Sequence, residues 1–358
     1  MSKPLVTKEE HKEFLDVFQI LKKDILEAIG ELNVSKEIFG WVRESIEVNI
    51  PGGKLTRGLT IYNTVKSLKI GFLSDQEKFE ARVLGWCVEW LGSVYLVFDD
   101  VMDGGTIRRG HPCWYKCLNP LNRQVPIGNI AIFDGLILEE CMYKILKKYF
   151  KHKAYYGDLV ELIHDVNWKS YIGQLMDSDV SIFERGDFSE FTMTRFRQIM
   201  IYKTAYYTFY LPVVAGMLIS GMELQYIESL DGLKDILIEL GIFMNAQDDF
   251  FDSFSDPKIT LKIGTDIEEN KITWLICKAL TMVNPDQLSL LKQHYGRTSP
   301  NDRAIVKKIY LEIGLEKEFR IYEDQTYLDI MKSIDTNEIN IPKEILITIL
   351  ENCYKRVK

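Results

Sequence analysis

Residues 83–103 read VLGWCVEWLGSVYLVFDDVMD, and their pattern decides the fold class. From Val83 to Phe98 the only charge is Glu89, and no hairpin turn interrupts the run. A stretch of that length marked by a carboxylate is too short for a membrane span and suits a helix buried on nearly all sides. It ends in Asp99, Asp100 and Asp103. On a helix Asp99 and Asp103 share a face at i,i+4, and Asp100 and Asp103 at i,i+3. A second copy follows at residues 236–252, ILIELGIFMNAQDDFFD, ending in Asp248, Asp249 and Asp252. Stacked carboxylates repel one another unless cations fill the space between them. Mg²⁺, a hard ion that takes oxygen ligands and keeps positions open for phosphate, is the natural partner. The simplest reading is two acid walls that grip a diphosphate through Mg²⁺.

Outward from these two segments the periodicity stays helical. Apolar residues recur at three-to-four spacing over residues 9–32, 36–48, 57–67, 76–102, 128–151, 155–176, 192–220, 230–254 and 272–283. Further helices are expected over 286–295, 302–322, 323–334 and 342–357. Breaks fall at Pro51-Gly52-Gly53, Gly104-Gly105, residues 119–126, Asp256-Pro257 and residues 296–301. Thr7 with Glu10 has the spacing of a capping box that opens the first helix. No linker is long or low in complexity, so one all-α domain over 1–358 is expected.

Composition excludes several classes. The 358 residues are 46% hydrophobic, enough for a substantial core and against disorder. A formal net charge of -8 disfavours a nucleic-acid partner. The six cysteines form no CxxC pair and have no zinc-like spacing, which points to reduced thiols in a cytoplasmic protein. The polar start carries no secretory segment, and no membrane anchor is expected.

Basic residues attend both acid clusters. Arg108 and Arg109 follow Asp103 across a Gly-Gly turn able to bend the chain back. Gly52-Gly53-Lys54-Leu55-Thr56-Arg57-Gly58 is a glycine turn opening onto a helix with two cations, a candidate phosphate seat. Lys262 and Lys271 follow the second cluster. Lys203 and Thr204 open an aromatic stretch, residues 205–210. Acids for metal, bases for phosphate and aromatics for an apolar tail describe a site for a prenyl diphosphate.

The motifs GGKLTRG, DDVMDGGTIRRG, GQLMD, YKTAYYTFYLP, QDDFFDSFSDP and KIGTDIEENK stand in the order found in the trans-isoprenyl diphosphate synthases. The chain resembles the farnesyl diphosphate synthases of animals from about residue 5 to its end. That resemblance implies a class I isoprenoid synthase helical bundle around a deep central cavity, three Mg²⁺ ions and a homodimer. It implies Asp99, Asp100, Asp103, Asp248 and Asp252 as metal ligands, with Arg108, Lys203 and Lys262 on the allylic diphosphate. Lys54, Arg57 and Arg109 would hold a second, homoallylic diphosphate. Thr204, Gln247 and Lys271 join the substrate-binding set, and the basic tail Lys355-Arg356 helps close the site.

Departures from the family pattern gather around the second substrate. Gly92 stands where the family has a Gln that contacts isopentenyl diphosphate. Met244 and Asn245 alter the Phe-Phe-Gln-x-Gln-Asp-Asp pattern. Ser170-Tyr171 replaces Thr-Glu, Phe133 an Asn, and Leu261 a Gly. Tyr95, one turn before Asp99, gives a pocket floor, while Val94 replaces an aromatic. A reshaped wall at Gly92, Val94, Met244 and Asn245 favours a terpene synthase that ionises farnesyl or geranyl diphosphate. The retained cations and tail support the alternative, an elongating farnesyl or geranyl diphosphate synthase. A non-catalytic partner subunit is the third class, disfavoured because both acid clusters are complete.

Overall fold

The computed structural model describes residues 5–69, 71–178, 184–260 and 264–356. Helices account for most of them, as the periodicity requires, and the described residues fall into two compact units.

The first unit is drawn from Met1–Asp165, Tyr207–Asp231 and Ile339–Asn352. Its central element is the helix Asp75–Met102, opened by a capping box in which Ser74 and Glu77 satisfy each other's backbone N–H groups. By length and composition this helix is apolar enough to cross a membrane, but 83% of its most apolar window is buried in the protein. It packs against Lys8–Gly30, Thr56–Leu68, Ala131–Phe150 and Leu211–Ile219. Gly85 permits close approach to Thr56–Leu68: a Cβ there would meet the Gly58 carbonyl at 2.7 Å. Trp86 is fully buried, stacks on Phe14 at 4.8 Å and donates its indole N–H to the Phe14 carbonyl, so its large apolar area is buried without a polar penalty. Asp134, in the segment AIFD, accepts from the indoles of Trp41 (2.8 Å) and Trp114 (2.7 Å), pinning Ala131–Phe150 to the helix Lys36–Asn49 and the turn Trp114–Lys116.

The second unit comprises Val166–Tyr206, Gly232–Glu338 and Cys353–Lys358. Leu233–Phe254 is its central helix and packs on Met193–Met200, Trp274–Ala279 and Leu315–Thr336. Phe250 stacks on Phe319 at 4.3 Å within that core.

Most expected helices form, and four differences have local causes. The segment 192–220 is not one α-helix: Met193–Met200 winds into a π-helix, Ile201–Tyr210, before Leu211–Ile219. Pro212 has no N–H for the carbonyl four residues back, and a wider winding takes up that break. The last long pair divides at Gly314, not near residue 322, because Gly314 takes the left-handed conformation (φ 69°) that starts Leu315–Thr336 afresh. Two short helices, Leu224–Glu228 and Pro257–Thr260, fall below the length at which periodicity is readable. A two-stranded hairpin, Ile107–Arg108 with His111–Pro112, was also not expected. The six cysteines are unpaired.

Candidate active site

In the first unit the hairpin explains the RRG segment. Arg109 and Gly110 both take positive φ (54° and 81°), the requirement of a tight two-residue turn whose twist matches its strands. The bend at Gly104 (φ 66°), with the Gly105 N–H donating to the Asp100 carbonyl at 3.1 Å, brings Arg108 back onto the cluster. Its Nε donates to Asp100 Oδ1 at 2.7 Å and its NH2 group to Asp99 Oδ2 at 3.0 Å. Burial opposes the Arg108 charge, but the two carboxylates outweigh it and hold the guanidinium protonated. Cys113 lies on the same carboxylate, its thiol pushed up to about 12 by burial and by Asp100. Asp103 caps the helix at its C-terminus, half-buried.

Arg109 lies across the glycine turn, donating to the carbonyls of Asn49 and Pro51 at 3.2 Å each. Gly52 and Gly53 have φ of 110° and 71°, and a Cβ on Gly53 would meet the Arg109 side chain at 3.2 Å. Lys54 is exposed beside them. Arg57 donates to Tyr207 Oη (2.9 Å) and Thr208 Oγ1 (3.2 Å), with its guanidinium 4.5 Å from the Tyr207 ring centre. Tyr95 meets the same ring edge-on at 4.7 Å. Gly92 is where Arg57 passes: a Cβ there would lie 3.6–3.8 Å from the guanidinium. The notch that the sequence offers as a reshaped pocket wall is therefore lined by a cation.

In the second unit Gly173 carries the close packing. A Cβ at Gly173 would meet the Lys203 backbone N at 2.1 Å, so only glycine fits. Asp177, one turn on along the same face, accepts from Lys203 Nζ and from Lys271 Nζ, both at 2.6 Å. Burial raises the Asp177 carboxyl, and the two lysines overcome this to hold it below the usual carboxylate range. The sequence analysis does not single out Asp177, although it closes the quoted GQLMD motif; an acid one helical turn after Gly173 was the available signal. Thr204 is buried, and Ala205 sits against Gly241, where a Cβ would approach to 2.3 Å.

The second acid cluster divides by role. Asp249 is buried and accepts from the Trp274 N–H at 2.7 Å. Burial, then Asp248 and Asp252, push its carboxyl well above the usual range. Asp248 is exposed and paired with Arg356. Asp252 accepts from the Thr265 N–H at 3.1 Å, and a Cβ on Gly264 would overlap its carboxylate. Gln247 is fully buried, with its amide N–H groups given to Glu323 (2.8 Å) and the Cys353 carbonyl (2.7 Å). Its carbonyl accepts from Arg356 Nε at 2.8 Å, and Arg356 also donates to the Met244 carbonyl at 2.8 Å. Asn245 donates within its own helix to Gly241. Lys355 pairs with Asp324 at 3.1 Å. Lys262 and Leu261 lie outside the described residues.

The donor chemistry fits Mg²⁺: every candidate ligand is a carboxylate, and the ion is held by one or two carboxylates with substrate phosphates rather than in an all-protein cage. Among the described residues no three such side chains converge into a cage.

Comparison with known proteins identifies the chain's relatives. The Polyprenyl synthetase family model matches residues 39–313. The chain is 45% identical to a farnesyl diphosphate synthase of Dictyostelium discoideum, over 99% of this chain and 92% of that one. It is 41% identical to farnesyl pyrophosphate synthase 1 of Cannabis sativa, over 96% and 98%. Among solved structures, T. brucei farnesyl diphosphate synthase complexed with risedronate superposes with a TM-score of 0.89 at 28% identity, covering 98% of this chain and all of that one. These relatives overturn the expectation of a terpene synthase, since proteins this similar along nearly the full length bear the elongating enzyme's name. The physical reason is visible at Gly92, one position of that reshaped wall, which is lined by Arg57 of the basic seat. The fold is the helical isoprenoid synthase fold, and the chain belongs to the polyprenyl synthetase family, whose farnesyl diphosphate synthases are prenyltransferases.

Proposed function

We propose that the protein elongates prenyl diphosphates, condensing dimethylallyl and then geranyl diphosphate with isopentenyl diphosphate to give farnesyl diphosphate. The observation that carries this is the basic seat at Gly52–Arg57 and Arg109, whose hydrogen bonds go to backbone carbonyls and to Tyr207 and Thr208 rather than to the carboxylates that hold Arg108. Two diphosphates need two seats; an enzyme that only ionises one substrate has no use for the second.

Asp99, Asp100, Asp103, Asp248 and Asp252 are the proposed ligands of three Mg²⁺ ions, which when bound would supply positive charge to stabilise departing pyrophosphate. Arg108, Lys203, Lys262 and Lys271 orient the allylic diphosphate, and Lys54, Arg57 and Arg109 the homoallylic one. Tyr95, one turn before Asp99, is the proposed pocket floor, where an aromatic face stabilises an allylic cation without trapping it. The isopentenyl double bond attacks that carbon, and the proton lost afterwards goes to the released pyrophosphate.

A homodimer is supported by exposed apolar side chains on each unit. They are Phe133, Leu136 and Ile137 on Ala131–Phe150, and Trp168, Ile172 and Leu175 on Tyr156–Ser178. The family match crosses the spans of both units, which supports one catalytic domain over 1–358. A cytoplasmic location is part of the same proposal.

The test incubates the protein and Mg²⁺ with dimethylallyl plus isopentenyl diphosphate. Geranyl and farnesyl diphosphate are expected. No longer diphosphate under metal-replete conditions overturns the proposal.

A further inference from the structure

Glu89 is the one charge in the apolar run from Val83 to Phe98, and nothing in the metal or diphosphate assignments uses it. It is 4% exposed on Asp75–Met102. An ionised carboxylate is not kept in such a place without partners. Its Oε1 accepts from the backbone N–H of Gly58 at 2.8 Å.

Gly58 is the third residue of Thr56–Leu68, the helix that carries the basic loop. That helix has no side-chain cap at its N-cap residue, Leu55, which takes the left-handed conformation (φ 53°). Leucine is a poor N-cap, and orphan N–H groups in a first turn need an acceptor. Glu89 supplies that acceptor from another helix. Gly58 makes the contact possible, because a Cβ there would meet Glu89 Cγ at 3.0 Å and the Gly85 carbonyl at 2.8 Å.

The carboxylate also bears on the loop's charge. Burial lowers the Arg109 proton affinity, Arg57 and Arg108 lower it further, and Glu89 is the foremost charge that opposes them. One buried acid thus fixes the start of the helix bearing Arg57 and offsets charge around Arg109.

We propose that Glu89 is a positioning residue for the basic seat formed by Gly52–Arg57 and Arg109, holding it in register by capping the Gly58 N–H. The proposal rests on the reading of that seat as the isopentenyl diphosphate site.

Two substitutions separate bond from charge. Glu89→Asp keeps the charge but withdraws the carboxylate by one methylene, losing Gly58. Glu89→Gln keeps an acceptor for Gly58 and loses the charge. The KM for isopentenyl diphosphate is expected to rise about tenfold in Glu89→Asp and less than threefold in Glu89→Gln, with the KM for the allylic substrate within twofold in both. Thermal melts of both variants establish that they fold. The proposal is overturned if Glu89→Asp leaves the isopentenyl diphosphate KM within twofold, or if both substrates' KM values rise in parallel. Wild-type protein that yields no longer diphosphate would instead overturn the elongation reading. Calorimetric binding of isopentenyl diphosphate to wild type and Glu89→Asp then decides on Glu89: tenfold weaker binding in the variant supports it, and equal or undetectable binding in both overturns it.

Discussion

Replacing Asp177 by Asn tests the most heavily buried charge at the proposed allylic diphosphate seat. Asp177 is 4% exposed and accepts two ammonium groups on one oxygen, each at 2.6 Å. A hydrogen bond to a charged partner contributes about 1.5–3 kcal/mol, and removing one member of a buried ion pair costs about 3–5 kcal/mol. The carboxamide keeps one acceptor, and the Lys203 side chain, 22% exposed, can reach water. Lys271, only 10% exposed, cannot do so as readily. The lower end of the range applies, and Asp177→Asn is expected to cost about 3 kcal/mol. Urea unfolding at pH 7 with linear extrapolation measures it. The pH dependence has a defined sign. Because the folded carboxyl sits below its unfolded value, its contribution is complete above an unfolded pKa of about 4 and fades as pH falls towards the folded one. The gap between wild type and variant is therefore constant from neutral pH down to about 5 and narrows below it. A cost under about 1 kcal/mol at pH 7, or a gap that widens on acidification, would refute the reasoning.

Asp99→Ala and Asp248→Ala should each remove most turnover while leaving the fold intact by circular dichroism; near-normal rates contradict the metal assignment. Chelation with EDTA should abolish product formation and Mg²⁺ should restore it, as read by radiolabelled product. Gly173→Ala forces a methyl group against the Lys203 backbone N at 2.1 Å and should destabilise the protein by about 3 kcal/mol, visible as a lowered melting temperature. Asp134→Ala strips the acceptor from two indole N–H groups and should cost about 2–5 kcal/mol in urea unfolding; a loss below about 1 kcal/mol contradicts the pinning role.

Local pattern made much of this protein legible without coordinates. The helical class follows from periodicity within each segment, and the Asp clusters from spacing within single turns, because both depend on residues only three or four positions apart. The return of Arg108 onto Asp99 and Asp100 was also readable, since Gly104 and Gly105 mark the bend between them. The family emerged from the order of short motifs. The sequence misled at the reshaped wall, because what lines Gly92 comes from another helix.

Tertiary structure decided what lies beside each gap and each buried charge. Arg57 lining Gly92, Glu89 capping Gly58 across 31 positions, and Asp177 joining Lys203 at 26 positions to Lys271 at 94 have no local signature. A side chain's partners across helices are fixed by which glycines let backbones approach, here Gly58, Gly85 and Gly173. Spacing along the chain records which residues share a face of one helix, and close packing alone selects what that face meets.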